Sequence, residues 1–241
     1  MKKRFLMMVL LLTSFVLVMG MMTIVSLALR YSAQDTVFMF AESEETVLPQ
    51  EEIQFPYPIP GTTMTVESVV IYDGPLTDEN NDAPIANGLA LHLHNTGEQA
   101  LLAAGITLKI GNVTYHFSGS HIPAGAGILL PEVDNALWSD RPCTACTGWA
   151  IYAENIGLTE TDVEILEIDM DTLSVTNRTI NLLCDVQLYY KNFLPEANIF
   201  LGSQTHTVWV GNIQPGETVL VSPERYAGAY SKVVRIDGER G

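Results

Sequence analysis

Residues 212–224 read NIQPGETVLVSPE, and roughly ninety positions earlier residues 121–132 read HIPAGAGILLPE. In each, an isoleucine (Ile122, Ile213) precedes a glycine (Gly125, Gly216), then three aliphatics (Ile128-Leu129-Leu130, Val219-Leu220-Val221) and soon Pro-Glu. A glycine accepts φ > 0, and a proline stands where no ladder donor is needed, so the phrase delivers a strand into a sheet. Finding it twice points to a repeated β unit.

Working outward, short β-branched and aromatic runs flank both phrases: 64–72, 88–95, 106–110, 113–117, 127–130 and 148–153, then 163–170, 185–190, 198–202, 206–210, 218–221 and 232–236. No segment after Arg30 has a sustained helical period. Aligning Asn95 with Asn192 sets Leu89, Leu91 and Leu93 against Val186, Leu188 and Tyr190 as the core-facing sets. Similarly, Tyr115 and Phe117 match Val208 and Val210. Six or seven such strands without helices suit a sandwich of ~80–100 residues.

At DVQLYYKN…HTVWVGNIQPGETVLV the second copy resembles the FxLYD family of bacterial extracytoplasmic modules over about residues 172–236. The likeness is a hydrophobic-Tyr-aromatic strand ahead of a Pro-Gly-Glu turn. Val186-Gln187-Leu188-Tyr189-Tyr190-Lys191 replaces the literal family motif, and the first copy departs further. The resemblance implies an anchored surface module without established catalysis, and it transfers no site residue.

Phe5–Leu29 carries no charge and is long enough for the ~30 Å hydrocarbon core of a bilayer. Lys2, Lys3 and Arg4 precede it, so charge bias leaves the N-terminus cytoplasmic and everything after Arg30 outside. Ser26-Leu27-Ala28 would suit a signal peptidase, but the run is longer than a signal h-region of ~7–15 residues. Either way the rest is exported. Residues 41–61, with five glutamates and four prolines, read as a stiff charged spacer.

The net charge of −16, from 28 acidic and 12 basic residues, excludes a nucleic-acid partner, because little is present to neutralise phosphates. No nucleophile elbow, H-E-x-x-H, phosphate loop or dinucleotide fingerprint occurs, and no cofactor is expected.

Several residues remain as candidates. With the leucines inward, His92 and His94 point outward, as does His116 between Tyr115 and Phe117; three imidazoles on one sheet face could bind Zn²⁺ or Cu²⁺. Their aligned positions, Tyr189, Lys191 and Trp209, form an outward surface for a protein or glycan, or one covered by the neighbouring copy. Cys143-x-x-Cys146 reads as an insertion closed by a small disulfide, with thiol-redox chemistry as the alternative. Cys184 reads as a buried strand thiol. The loop 77–82, TDENND, has oxygens for Ca²⁺ without EF-hand spacing, and Asn112 and Asn177 fit the glycosylation sequon.

The expected protein is all-β: two tandem immunoglobulin-like β-sandwich modules after an N-terminal transmembrane helix. Its parts are a basic cytoplasmic end (1–4), an anchor (5–29), a spacer (30–61), module 1 (62–157) and module 2 (158–241). Its expected role is non-catalytic display to a protein or glycan partner outside the cell, the alternative being an envelope metal-handling or thiol-redox protein.

Overall fold

The computed structural model describes residues 44–47, 53–74, 85–134, 141–154 and 158–241. The hydrophobic run Phe5–Leu29 and the acidic loop 77–82 lie outside the described residues. Among the described residues no helix is long and apolar enough to cross a membrane.

The chain is all-β. Its strands are β1 (Glu44–Val47), β2 (Tyr57–Pro58), β3 (Met64–Gly74), β4 (Ile85–Asn95), β5 (Leu101–Ile110), β6 (Val113–Ile122), β7 (Gly127–Pro131) and β8 (Cys143–Tyr152). They continue as β9 (Val163–Glu167), β10 (Leu173–Asn177), β11 (Leu183–Leu194), β12 (Ile199–Ile213), β13 (Thr218–Val221) and β14 (Ser231–Arg240). One long sheet runs β1-β3-β4-β7-β12-β11-β14, with β2 beside β3, and two three-stranded sheets run β6-β5-β8 and β13-β10-β9.

These orders contain the repeat. In the first copy β4 lies between β3 and β7, and β5 between β6 and β8; in the second, β10 lies between β9 and β13, and β11 between β12 and β14. Strand for strand, β3–β8 repeat as β9–β14. The two three-stranded sheets belong to different copies, and the long sheet fuses the remaining half of each.

The pairing corrects the sequence alignment. The counterpart of Asn95 is Asn177, not Asn192. Both are wholly buried at the end of the central strand. Each donates Nδ2 to the carbonyl four residues on (Gln99, Asn181) and to a carbonyl after β6 or at the end of β12 (Pro123, Ile213). Each accepts on Oδ1 from the amide two residues on (Gly97, Thr179). A carboxamide with these bonds closes the same loop twice, and alanine there would strand buried backbone groups. Asn177 is therefore closed to glycosylation in the folded chain, whereas Asn112 is exposed. On the same basis Leu188 corresponds to Ile106, which pair with Val208 and Phe117, and Trp209 corresponds to Ser118 rather than to His116.

The inward sets hold in both copies. Leu89, Leu91 and Leu93 are buried in a first core that β3, β4 and β7 share with β5, β6 and β8. Val186 and Leu188 are buried in a second, with Val163, Leu173, Val175 and Ile213, and Tyr190 is buried too. The expected spacer is not free in its described part. β1 and β2 pair with β3, Ile59 is buried, and Ile53, Phe55 and Tyr57 pack against the first core. Apolar residues at every second position fall on one face of an extended chain, and the prolines between them face away.

The copies are joined by backbone. β7 pairs in parallel with the start of β12, Gly127, Ile128 and Leu129 facing Ile199, Phe200 and Leu201. The β11–β12 hairpin is longer than its counterpart β5–β6, and its tip carries Phe193 and Phe200 into the first core. Their ring centroids are 5.1 Å apart. The boundary expected at 157/158 thus separates two sets of strands but not two independent sets of buried side chains.

Candidate functional site

Two of the three residues expected to form an outward binding surface lie in the joint between copies. Lys191 has 0% exposure, contrary to its expected outward position. Pairing of β11 with β12 shifts register between Tyr190 and Asn192, so strict alternation fails at this residue. Its Nζ donates to the carbonyls of Ser203 (3.3 Å) and Gln204 and to Thr205 Oγ1 (3.3 Å). A buried ammonium persists only when its protons are committed in this way. It braces the β12 strand where Ser120 of β6 meets Thr205 across the copies (Oγ–Oγ1 2.9 Å).

Tyr189 is half-buried, and its ring stacks on His121 of the first copy, centroids 4.6 Å apart and 24° from coplanar. The neighbouring copy is what covers it. Arg235 approaches the same ring at 6.0 Å and donates Nε to Asp237 Oδ1 at 2.6 Å. Burial, then the charges of Arg235 and Lys191, hold the His121 imidazole below its ordinary pKa, against a smaller opposing pull from Asp237.

That shift has a consequence for stability. The folded pKa is depressed, so the unfolded chain takes up the proton first as pH falls below about 6.5. The contribution of the neutral imidazole is complete above that pH and is lost as pH falls through the lower, folded value. Urea midpoints at pH 7.5 and 5 are expected to drop less in His121→Asn than in the native chain; asparagine tolerates the φ of 48° at this position. An equal drop in both would remove His121 as the group responsible.

Trp209 is 59% exposed, on the outer face of the β12-β11-β14 half of the long sheet, where it faces Gln187. Trp149, which sequence reasoning passed over, is 54% exposed on β8 and faces Gly105. Gly105 and Gln187 occupy equivalent places on β5 and β11, so the two exposed indoles stand at the same level of equivalent sheets.

The three candidate metal ligands are not brought together. His92 and His94 lie on β4 of the long sheet and His116 on β6 of a three-stranded sheet. These layers face one another through the first core, so outward side chains on the two point in opposite directions. His94 Nδ1 lies 3.5 Å from Glu67 Oε1, and His116 Nδ1 lies 3.4 Å from Thr107 Oγ1. Among the described residues no three His, Cys, Asp or Glu side chains are grouped to hold a metal ion.

Cys143 and Cys146 belong to β8 and not to an insertion. The pairing of β5 with β8 shifts register between Lys109 and Ile110, which leaves both thiols inside the first core. They are free thiols. Burial pushes Cys143 up, and burial followed by its neighbour Cys143 pushes Cys146 up to about 12. A redox cysteine needs the opposite shift, because the thiolate is the nucleophile. Ellman's reagent at pH 8 is expected to leave both untouched in the folded chain and to titrate all three cysteines once urea unfolds it without reductant. A count of one after unfolding would show a Cys143–Cys146 disulfide.

No protein-family model matches this chain, and neither a curated protein nor a solved structure is significantly similar to it. A functional reading rests on the chain's own residues.

Proposed function

We propose that the chain is a non-catalytic, membrane-anchored extracytoplasmic protein that displays two immunoglobulin-like β-sandwich modules, 62–157 and 158–241, to a protein or glycan partner. Phe5–Leu29 is the anchor, with Lys2, Lys3 and Arg4 on its cytoplasmic side. Support for the immunoglobulin-like assignment comes from strand order. In each copy the first two strands form a hairpin in one sheet, the third and fourth form a hairpin in the other, the fifth returns beside the second, and the sixth crosses beside the third. Such Greek-key crossings characterise immunoglobulin-type sandwiches, and the FxLYD resemblance of 172–236 fits the same picture.

The observation that carries the reading is the pair of exposed indoles, Trp149 and Trp209, on equivalent outer faces. Tryptophan is enriched in contact surfaces because it combines large apolar area with one polar tip, and leaving it in water invites adhesion. Leu166 and Leu220, both exposed and flanking Ser174, extend apolar surface onto the outer face of the β13-β10-β9 sheet. Joining the copies through one continuous sheet suits display, since it fixes how far apart the surfaces stand.

The test is on cells. Protease added to intact host cells stripped of their outer wall is expected to digest the chain beyond Arg30. A photo-crosslinking residue at 149 or 209 is expected to capture a partner that the same residue at buried Val175 does not. Full protection from protease would overturn the topology, and equal capture from all three positions would overturn the contact surface.

A further inference from the structure

Trp149 is seated in an unusual way. A Cβ built on Gly105 would fall 2.4 Å from its indole Nε1, 2.6 Å from Cε2 and 2.8 Å from Cζ2. The indole therefore rests directly on the β5 backbone, a place that only glycine leaves open. Next to it is a cleft of about 360 Å³. Small residues line its floor, Ala103, Ser118 and Ser120 among them, and Ser203, Gln204 and Thr205 of β12 form its wall.

The cleft exists because the copies are joined. The second copy has no equivalent platform, since Gln187 and Asp237 stand where the first has Gly105 and Trp149. The first copy has no equivalent wall, since the extended hairpin belongs to β11 and β12. The wall is braced from behind by Lys191, whose ammonium protons go to its carbonyls and to the Thr205 hydroxyl.

Chemistry narrows the ligand. No ionisable side chain lines the cleft, in a chain with 28 acidic and 12 basic residues. It offers an aromatic platform and serine hydroxyls, the Thr205 hydroxyl being committed to Ser120 and Lys191. The Gln204 Oε1 acceptor is buried within the wall and turned away from the cleft's solvent, so a ligand's polar contacts fall to hydroxyls. An anion or a charged peptide finds nothing to pair with there. A sugar ring fits: its C–H face stacks on an aromatic ring, and its hydroxyls both donate and accept. The size lies in the range of small-ligand sites.

We propose that this cleft binds a neutral saccharide, one ring of which stacks on Trp149 while its hydroxyls meet the Ser118 side. The proposal rests on the reading that the outer sheet faces are contact surfaces, and it names the partner class for one of them.

The full chain, held in a sugar-free zwitterionic detergent, is titrated with cellotetraose, maltotetraose and N-acetylchitotetraose and followed by calorimetry. At least one is expected to bind saturably at millimolar concentration or below. Trp149→Ala is expected to weaken it by about tenfold or more, with Trp149→Phe in between. Gly105→Val, which keeps the indole but occupies its seat, is expected to weaken binding as Trp149→Ala does, with the far-UV spectrum retained. Absence of binding to all three, or binding unchanged in Trp149→Ala, would overturn the saccharide site. Either result would leave display to a protein partner standing. Protease protection on cells would overturn display whatever the sugars do.

Discussion

Leu188→Ala is expected to lower the stability of the folded chain by about 2–5 kcal/mol, and Leu91→Ala by a similar amount. Both side chains are wholly buried, Leu91 in the first core and Leu188 in the second. Leu91 lies between Val69 and Leu130 on neighbouring strands, and Leu188 between Val208 and Ile236. Removing the branched end of either forfeits its transfer free energy and leaves a void that paired backbones on both sides cannot close. Their outward neighbours provide the contrast. His92 is half-buried with its Nε2 out of solvent, so His92→Ala is expected to cost less than Leu91→Ala without being neutral. Tyr189→Ala is expected to cost less than Leu188→Ala although its stack on His121 is lost. Urea midpoints of the four variants decide it. If Leu188→Ala costs less than Tyr189→Ala, the faces of β11 have been exchanged, which a one-residue slip in register would produce.

Phe200→Ala is expected to cost about 3–5 kcal/mol and to change the form of unfolding as well as its midpoint. Phe200 belongs to the second copy by sequence and to the first core by burial, where it packs against Phe193 and pairs beside Ile128. The ammonium of Lys232 lies 3.5 Å from the centroid of the Phe193 ring, closing the other side of the pair. With this tie in place the copies are expected to unfold in one transition; in Phe200→Ala two transitions are expected, followed by calorimetry. A cost below about 1 kcal/mol with a single transition retained would show that the hairpin tip does not hold the copies together.

Alternation carried much of the fold in the sequence. Leu89, Leu91 and Leu93, and Val186, Leu188 and Tyr190, are buried as the period of two requires, and the Pro-Gly phrase marks the same strand entry in both copies. The correspondence between them was not legible in the same way. The hairpin extension around Phe193–Ser203 breaks the spacing, and the alignment of Asn95 with Asn192 followed from it. Only the buried carboxamide bonds single out Asn177. Prolines hid the alternation of Ile53, Phe55, Tyr57 and Ile59, because composition pointed to a spacer while the pattern pointed to a strand.

Site residues were less legible, for a physical reason. Whether an outward side chain meets water depends on which strands pair and on what lies over them, and both are non-local. Tyr189 stacks on His121 of the other copy, Lys191 is drawn inward by carbonyls of its own hairpin, and the three histidines fall on layers that look apart. Trp149 was outward by alternation alone, but its seat depends on Gly105 lying across the sheet. No local pattern in GWAIYA carries that.

The fusion of two copies into one sheet underlies both the joint and the cleft, and hydrogen exchange of the intact chain tests it most directly. β7 lies between β4 and β12, and the start of β12 lies between β7 and β11, so neither strand has an open edge there. The amides of Gly127–Leu130 and Ile199–Leu201 are expected to exchange as slowly as those of Leu91 and Leu188 in the two cores. Exchange of alternate amides in these segments at the rate of an open edge strand, with both cores still protected, would show two separate sheets and contradict the account.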